Sequence, residues 1–374
     1  MMTRALITAL ALAAATPALA QGVTESQIVL GQSAAMSGPA QDLGKDMRTG
    51  AMLYFNYVNA NGGVHGRKIV LKTLDDGYEP PRAAANTKKF IEDEKVFALF
   101  GYVGTPTSAA SMPIFTQAKV PFVGAFTGAE LLRHPVNPYV FNVRASYFDE
   151  TEAIVQHLTA VSIDNIAIFY QDDAYGQAGL AGVERALKKR NMKLSARGTV
   201  ERNTVDVTKA VNVIKQANPQ SVIMISAYKS CAAFIREMKK QGQNPTFWNV
   251  SFVGSKALAK ELGPDGRGVE ISQVVPFPWD ISVPVVREYR KLLQEEKAGE
   301  PGFGTLEGFI AAKVMVEGLK RAGKKLDREG FVRAMDTLGN YDAGGFKVSY
   351  APDNRSGSQF VDLTIISKDE KFVR

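Results

Sequence analysis

The sequence predicts an α/β fold with two Rossmann-like lobes, in which parallel sheets are flanked by helices and strands cross between the lobes. Short apolar segments alternate with amphipathic helical segments along the chain, and this alternation occurs in two successive runs. Such alternation is typical of parallel sheets covered by helices on both faces. No low-complexity segment or long polar linker separates the two runs. We therefore expect two lobes that share the chain, not two independent domains.

The first run extends from residue 28 to residue 123. A strand at 28–30 precedes a helix at 44–59, whose apolar residues recur on one face. The sequence Asn61-Gly62-Gly63 is expected to end that helix, because glycine is favoured just after a helix C-terminus. The run continues with strands at 68–74, 96–100 and 121–123 and with helices at 82–94 and 106–118.

The second run begins near Tyr147 and continues to about residue 262. Its predicted strands are 166–169, 194–200, 222–225 and 246–249, with a helix after each of them and one helix before the first. The C-terminal part then differs, with a strand at 271–275 followed by helices at 283–296, 304–321 and 328–338. The segments 344–350 and 359–367 are expected to form an antiparallel pair around the turn Asp353-Asn354.

The first twenty residues have the three parts of a secretory signal peptide. Arg4 supplies a positive charge, residues 5–15 are apolar, and Ala18-Leu19-Ala20 is a small-x-small cleavage site. The apolar part is too short to span a bilayer, which needs about 20 residues. We expect cleavage after Ala20 and export to a bacterial periplasm. Because no cysteine follows the cleavage site, a lipid anchor there is not expected.

Charge and cysteine content argue against several classes of protein. The formal net charge is +7, but the basic residues are spread along the chain and are not interleaved with aromatic residues. This pattern is not typical of nucleic-acid binding. Nucleic acid is therefore not an expected partner. The single cysteine, Cys231, lies in a helical pattern and is expected to be a small buried residue.

No catalytic constellation is evident in the sequence. The three histidines lie far apart, and the chain contains no H-E-x-x-H, G-x-S-x-G, C-x-x-C or phosphate-loop motif. The pairs Asp75-Asp76 and Asp172-Asp173 have the composition of acid–base pairs, but adjacent carboxylates at strand ends are more typical of solvated loops. We therefore expect neither an enzyme nor a bound metal or cofactor.

Five segments resemble the periplasmic leucine/isoleucine/valine-type binding proteins of ABC importers. The first is VLGQSAAMSGPAQDLGKDMRTGAMLYFNYVNANGGVHGRKI, and it is followed by GYVGTPTSAASMPIF, VPFVGAFTGAEL, IAIFYQDDAYGQAGL and SVIMISAYKSCAAFIREMKKQG. They occur in the family's order over essentially the whole chain after residue 20. The resemblance implies a type I periplasmic binding protein, with two lobes joined by a three-strand hinge and a ligand that closes the cleft between them.

This resemblance also implies the extent of each lobe and the partner of the protein. Lobe one is expected to comprise residues 22–144 and 276–350, and lobe two residues 145–275 and 351–374. The protein is expected to be a monomer that binds a small-molecule ligand and, once closed, delivers it to a membrane-embedded ABC permease. A ligand-sensing receptor domain with the same fold is the alternative from another class.

Ligand contacts are implied residue by residue. Thr105 and Thr127 match hydroxyls that bind the ligand carboxylate, and Ala125 matches a backbone group that does the same. The remaining positions expected to line the cleft are Leu43, Tyr102, Phe126, Tyr175, Ala227, Tyr228 and Phe252. Thr105 precedes Pro106, and Thr127 lies three residues before Glu130, so both threonines are also expected to cap helix N-termini, which favour anions.

One position departs from the amino-acid-binding members of the family. Ser251 occupies the place where those members have an acidic residue that pairs with the ligand ammonium. A serine cannot neutralise a buried ammonium, and an unpaired buried charge is costly. The sequence therefore predicts a small carboxylate without an α-ammonium and with an aromatic or branched body. A branched-chain or aromatic amino acid stays as the alternative, with Asp172, Asp173 or Glu270 as its possible ammonium partner.

Overall fold

The computed structural model of the protein describes residues 21–374. The predicted signal peptide, residues 1–20, lies outside the described residues. Within residues 21–374, none of the helices has the length and apolar character needed to cross a membrane.

The described chain contains fifteen strands and eleven α-helices. The strands are β1 (Gln27–Ala34), β2 (Lys68–Asp75), β3 (Ala98–Phe100), β4 (Phe122–Val123), β5 (Val140–Phe141), β6 (Ile166–Gln171), β7 (Arg197–Val200), β8 (Ser221–Ile225), β9 (Thr246–Asn249), β10 (Glu270–Gln273), β11 (Tyr341–Asp342), β12 (Lys347–Ala351), β13 (Asn354–Gly357), β14 (Asp362–Ile366) and β15 (Phe372–Val373). The helices are α1 (Gln41–Ala60), α2 (Pro80–Glu92), α3 (Thr105–Gln117), α4 (Tyr147–Ala160), α5 (Ala174–Lys188), α6 (Thr208–Gln216), α7 (Tyr228–Lys240), α8 (Ser255–Leu262), α9 (Pro284–Glu295), α10 (Phe303–Ala322) and α11 (Arg328–Asp336).

Two large sheets form the cores of two lobes, which confirms the predicted fold class. The first sheet has the order β2-β1-β3-β4-β5, and all its strands are parallel. The second has the order β15-β14-β10-β9-β8-β6-β7, with β14 and β15 antiparallel at one edge. Strands β6 and β8 are buried along their whole length, as central parallel strands covered by helices on both faces must be. We call the half around the first sheet lobe one and the half around the second lobe two.

Helix α10 returns to lobe one and packs very closely against α1. A Cβ atom added to Gly50 would lie 1.8 Å from the carbonyl oxygen of Thr305, and one added to Gly308 would lie 2.2 Å from that of Met47. Only glycine permits this approach of the two backbones. The crossing fixes the start of α10, including Glu307, beside the inner face of lobe one.

The predicted antiparallel pair near the C-terminus is wrong. Strand β12 pairs with β13, which follows it directly through the Asp353-Asn354 turn, and together with β11 they form a small separate sheet. Strand β14 pairs instead with β10 of the second sheet. The short hairpin gives β12 its hydrogen-bonding partner in β13, and β14 lies between β10 and β15 in the second sheet.

The chain passes from the first large sheet to the second after β5, leaves the second sheet after β10 for three helices and the small sheet, and returns to the second sheet at β14. The small sheet stays next to lobe one, because the backbone N–H of Asn142 donates to the carbonyl of Arg355 at 3.0 Å and that of Ser358 donates to Val143 at 3.1 Å. The third connection thus follows residue 357, a few residues beyond the predicted boundary at 350. The complete lobe boundaries and the three-strand hinge stay predictions.

Candidate functional site

The two threonines expected to bind a carboxylate lie side by side in lobe one. Both are fully buried, and their Oγ1 atoms are 2.7 Å apart. Thr127 also donates to the hydroxyl of Tyr147, at 3.3 Å, at the start of the first helix of lobe two. Three hydroxyl groups from both lobes therefore converge on one place between them.

The predicted capping role of these threonines is wrong. Gly104, with a φ of 103°, is the N-cap residue of α3, and Thr105 is the first residue of the helix and makes no capping hydrogen bond. After Thr127, residues Glu130–Leu132 form only a single 3-10 turn. Neither hydroxyl caps a helix: Thr127 Oγ1 accepts from the backbone N–H of Ala129 at 3.3 Å, and Thr105 lies in the first turn of α3.

Five aromatic side chains meet between the lobes, around Phe252. The centroid of the Phe252 ring lies 4.5 Å from that of Tyr175, 5.6 Å from that of Phe126 and 5.9 Å from that of Tyr78. The rings of Tyr147 and Tyr175 are 5.4 Å apart. Phe126 and Tyr78 belong to lobe one and the other three to lobe two, so closure of the lobes assembles this aromatic cluster. The Tyr175 hydroxyl is buried and makes no hydrogen bond within the described part of the chain.

The loop that carries Tyr78 is fixed by the carboxylates after β2. Asp76 is fully buried and accepts hydrogen bonds from the Ser33 hydroxyl at 2.7 Å and from the backbone N–H of Tyr78 at 2.8 Å. Asp75 accepts from the backbone N–H groups of Met36, at 2.9 Å, and Ser37, at 3.2 Å. The expectation that these two aspartates are solvated loop residues is wrong for Asp76, because it holds a cleft loop in place.

A buried charge cluster lies next to the aromatic rings. The guanidinium of Arg144 is 1% exposed and pairs with Glu150 at 3.0 Å and with Glu307 at 3.5 Å. It also donates a short hydrogen bond to the Oγ of Ser251, and its Cζ lies 5.1 Å from the centroid of the Phe126 ring. Arg144 thus connects the first crossing between the lobes with α4, α10 and the segment after β9.

Glu150 is fully occupied by its partners. Its carboxylate accepts the backbone N–H of Ser251 at 2.7 Å and the hydroxyl of Ser272 at 2.6 Å, besides the guanidinium of Arg144. The capping box of Ser146 and Asp149 begins α4. Glu150 thereby lies in the first turn of this helix, at the interface between the lobes.

Glu307 has a different environment. It is 4% exposed, and its only polar contact among the described residues is the ion pair with Arg144. Burial raises the pKa of Glu307 to about 7, although the positive charge of Arg144 opposes this shift. Glu307 also lines a cavity of about 10 Å³ between the lobes, together with Phe126, Phe303, Ser251, Ser255 and Gln273. A space of this size holds about one water molecule or one ligand oxygen.

Leu43 and Tyr228, two of the other predicted site residues, both lie next to Gly254 at the lobe interface. Leu43 on α1 faces Gly254 of lobe two, since a Cβ on that glycine would lie 2.4 Å from Leu43 Cδ2 and 3.7 Å from the Tyr228 ring. Ala227 immediately precedes α7 and is 8% exposed. Ala125 lies two residues before Thr127, with its methyl group in an apolar cluster of lobe one, which leaves only its backbone for a ligand.

Tyr102 does not join this group. Its ring packs against Phe122 at 5.0 Å, and its hydroxyl makes a 3.0 Å hydrogen bond with Thr87 inside lobe one. We therefore correct the prediction for Tyr102, which is a core residue: the strand-end position points its side chain to the helix-covered face of the sheet.

The acids considered as ammonium partners are committed elsewhere or lie outside the cluster. Asp173 caps α5 by accepting from the N–H of Tyr175 at 2.9 Å and also accepts from Gln171 at 2.7 Å. Asp172 is exposed. Glu270 lies on β10 and has no ion pair with a site residue.

Polar contacts at the rim join the two lobes directly. Arg202 of lobe two pairs with Glu79 of lobe one at 2.8 Å and with Asp173 at 3.2 Å. Asn203 donates to the Glu79 carboxylate at 2.7 Å and to the carbonyl of Gly77 at 3.1 Å. These contacts hold the rim of the cleft shut beside Tyr78.

Sequence reasoning missed Tyr78, Tyr147, Arg144, Glu150 and Glu307. The pattern Ser146-x-x-Asp149 was a usable signal, because it marks a helix start and so places Tyr147 and Glu150 in the first turn. For Arg144 and Glu307, which are 163 residues apart in the sequence by subtraction of their numbers, no local pattern indicates that they meet.

Comparison with known proteins gives consistent matches over nearly the whole chain. Residues 27–370 match the family model described as periplasmic binding protein. The Leu/Ile/Val-binding protein homolog 7 of Brucella suis is 26% identical over 366 residues, covering 92% of this chain and 88% of that protein.

Solved structures give the same result. A possible leucine/isoleucine/valine-binding protein from Rhodopirellula baltica has a TM-score of 0.90 and 36% identity, covering 96% of this chain and 98% of that one. A substrate-binding periplasmic protein from Ralstonia solanacearum has a TM-score of 0.87 and 30% identity, covering 93% and 99%.

Proposed function

The chain belongs to the periplasmic binding protein family, and on that premise we propose that it captures a small carboxylate without an α-ammonium and delivers it to an ABC permease. The resemblance to leucine/isoleucine/valine-type binding proteins is confirmed, and members of this family bind substrates and are not enzymes. The ligand, its body and the permease are the proposed part. We propose an aromatic or branched body for the ligand.

The observation that carries the proposal is the contact between Ser251 and Arg144. In the amino-acid-binding relatives, the position of Ser251 is expected to hold an acid that pairs with the ligand ammonium. Here the serine hydroxyl accepts a hydrogen bond from a buried guanidinium. An ammonium placed beside Ser251 would therefore lie against the guanidinium of Arg144, whose partners Glu150 and Glu307 are already engaged in ion pairs with it. Two carboxylates lie near Ser251: that of Glu150 already has three hydrogen-bond partners, and that of Glu307 is paired with Arg144.

The hydroxyl groups on the other side of the cleft support a carboxylate. The Oγ1 atoms of Thr105 and Thr127 are 2.7 Å apart beside the N-terminus of α3. Tyr175 carries a buried hydroxyl that makes no hydrogen bond within residues 21–374. Hydroxyl donors and a helix N-terminus together favour an anion. A carboxylate bound there would accept hydrogen bonds from both lobes.

The aromatic cluster supports an apolar body of limited size. Phe126 and Phe252 are in ring contact, and the remaining cavity between the lobes is about 10 Å³. A ligand body therefore enters by separating these rings as the lobes open, and its own apolar surface then replaces their contact. Flat or branched apolar groups suit such walls.

Closure couples binding to delivery. A ligand that contacts Thr105 and Thr127 of lobe one and Tyr175 and Ser251 of lobe two stabilises the closed arrangement, in which the rim contacts of Arg202 and Asn203 are formed. We propose that the permease recognises this closed arrangement in the periplasm.

A thermal-shift panel tests the proposal. The panel compares leucine, valine and phenylalanine with benzoate, 3-phenylpropanoate and branched 2-oxo acids, and we expect stabilisation by members of the second group only. Stabilisation by amino acids alone would contradict the proposal and favour an amino acid receptor. A Ser251→Glu variant is the internal control, since an acid at this position should weaken carboxylate binding.

A further inference from the structure

We infer that Arg144 and Glu307 together bind a hydroxyl group of the ligand, so that the ligand is a hydroxylated carboxylate. The inference rests on the proposed carboxylate function and deepens it, because it names a second polar group on the ligand and the two side chains that recognise it.

Arg144 and Glu307 are buried groups whose hydrogen-bonding capacity is not fully used within the described residues. The Nε and Nη1 atoms of Arg144 are buried and make no hydrogen bond with any described residue. Nη1 lies 3.5 Å from a carboxylate oxygen of Glu307, which is an ion pair without hydrogen-bond geometry. Buried polar groups without partners are rare and costly, so a group that pairs with both of them would be bound favourably.

A small space lies beside Glu307. An oxygen can lie at about 2.9 Å, the usual hydrogen-bond distance, from each of two atoms that are 3.5 Å apart. The cavity of about 10 Å³ is lined by Glu307 and by Ser251 and Phe126, both of which contact Arg144, and a space of this size holds one oxygen. The other polar residues of the cavity are already paired, since the Gln273 amide donates to Ser255 at 3.0 Å and to Thr364 at 2.9 Å.

A hydroxyl group is chemically compatible with both Arg144 and Glu307. An ammonium can donate to Glu307, but Arg144 repels it. A second carboxylate can accept from Arg144, but Glu150 and Glu307 repel it. A hydroxyl accepts from the guanidinium and donates to the carboxylate at the same time. Among common ligand groups it is the one that satisfies both partners without adding a charge.

The position of Arg144 and Glu307 relative to the aromatic rings fits the binding of a ligand hydroxyl group. The ring of Phe126 lies under the Arg144 guanidinium at 5.1 Å and also contacts Phe252. A ring inserted between Phe126 and Phe252 would therefore have one edge near Arg144 and Glu307. Its carboxylate would lie toward Thr127, whose hydroxyl is joined to Tyr147 of the same aromatic cluster.

Titration calorimetry with matched ligands tests the inference. Benzoate is compared with 2-, 3- and 4-hydroxybenzoate, and 3-phenylpropanoate with its ring-hydroxylated analogues, on the native protein. A hydrogen bond to a charged group corresponds to roughly a 10- to 150-fold change in affinity. We expect at least one hydroxylated acid to bind tighter than its parent by this factor. Equal affinities across both series would overturn the inference.

A variant assigns the effect to Glu307. In Glu307→Gln the charged acceptor becomes neutral, so the affinity advantage of the hydroxylated acid over its parent, both measured on the variant, should shrink about fivefold or more relative to the native protein. Glu270→Gln is the matched control, because it neutralises another partly buried acid that lies outside the charge cluster, and it should leave the advantage unchanged. An advantage that persists in Glu307→Gln would also overturn the inference.

Failure of this inference and failure of the proposed function give different results. If plain carboxylates bind and the hydroxyl has no effect, only the inference fails. If no carboxylate binds but an amino acid does, the proposed function fails. Amino acid binding that is lost in Glu307→Gln would identify Glu307 as an ammonium partner and overturn both.

Discussion

The hydroxyl of Ser251 accepts a hydrogen bond from the guanidinium of Arg144, at the place where amino-acid-binding relatives are expected to carry an acid. This contact changes which ligand group the protein favours at this place. Where an acid would attract an ammonium, the serine presents a neutral oxygen backed by a buried cation. The ion pairs of Arg144 with Glu150 and Glu307 keep that cation acceptable inside the protein.

Replacing either threonine of the proposed carboxylate site should weaken ligand binding. Thr105→Ala or Thr127→Ala removes one hydroxyl from the buried pair, and we expect affinity for the cognate carboxylate to fall about 10- to 150-fold. Titration calorimetry measures the change. Thr107→Ala is the control, since that hydroxyl donates to the backbone carbonyls of Val103 and Gly104 within the same helix start. Unchanged affinity in both site variants would exclude these hydroxyls from ligand binding.

Removing Arg144 should destabilise the protein strongly. Arg144→Met leaves Glu150 and Glu307 buried without their cation, and breaking a buried pair in this way costs about 3–5 kcal/mol of unfolding free energy. Urea denaturation followed by circular dichroism measures the loss. Arg333→Met is the control. The Nη1 atom of Arg333 lies 3.9 Å from a carboxylate oxygen of Glu329, and the arginine side chain is 70% exposed. We therefore expect its free energy of unfolding to change by no more than about 0.5 kcal/mol. Equal stability of the two variants would mean that the cluster is not important for folding.

The rim contacts of Arg202 should favour the closed arrangement. Arg202→Ala removes a partly exposed ion pair between the lobes, and pairs of this kind contribute about 0.2–1 kcal/mol, so ligand affinity should fall about 1.4- to 5-fold. Small-angle scattering of the ligand-loaded protein should show a larger fraction of open molecules. Arg197→Ala is the matched control, because its partner Glu184 lies in the same lobe. An equal loss of affinity in the control would contradict a specific effect on closure.

Stability should fall as the pH rises from about 5 to 8. Burial raises the pKa of four carboxyls, with Glu307 and Glu270 at about 7 and Asp46 and Asp76 at about 6. A solvated carboxyl titrates near pH 4. Between these values the folded protein binds more protons than the unfolded chain, so the free energy of unfolding decreases as the pH increases.

Thermal unfolding at a series of pH values measures this slope. Glu307 faces Arg144, Glu150 and Arg133, and burial outweighs the attraction of the two arginines. Glu307→Gln should therefore make the slope shallower between pH 5 and 8. Carboxyls with a lowered pKa, such as Asp75, lose their stabilisation only in more acidic solution and do not affect this range. A slope that is unchanged in the variant would show that Glu307 does not titrate there.

The predictable part of this protein is what short sequence patterns encode. The alternation of strands and helices predicts both lobes. The quoted motifs predict that Thr105, Thr127 and Tyr175 lie near one cleft, and the comparison with amino-acid-binding members predicts the same for Ser251. Cys231 is buried in α7 as predicted. The segment Ser146-x-x-Asp149 begins a helix through a side-chain hydrogen bond that local sequence specifies.

Long-range packing accounts for what the sequence does not reveal. The meeting of Arg144 and Glu307 depends on the close crossing of α1 and α10 at Gly50 and Gly308, which no local pattern indicates. Tyr102 was misplaced because neighbouring residues at a strand end point to opposite faces of the sheet. The capping prediction for Thr105 failed because Gly104, with its positive φ, occupies the N-cap position instead.

Titration calorimetry of ligand pairs that differ only in the α-amino group tests the central claim most directly. The pairs are phenylalanine with 3-phenylpropanoate and leucine with 4-methylpentanoate, measured at one pH and salt concentration. Because an ammonium beside Ser251 would face the Arg144 guanidinium, we predict that the deaminated member of a pair binds at least tenfold tighter. Submicromolar binding of an amino acid, with no heat from its deaminated partner, would contradict the account.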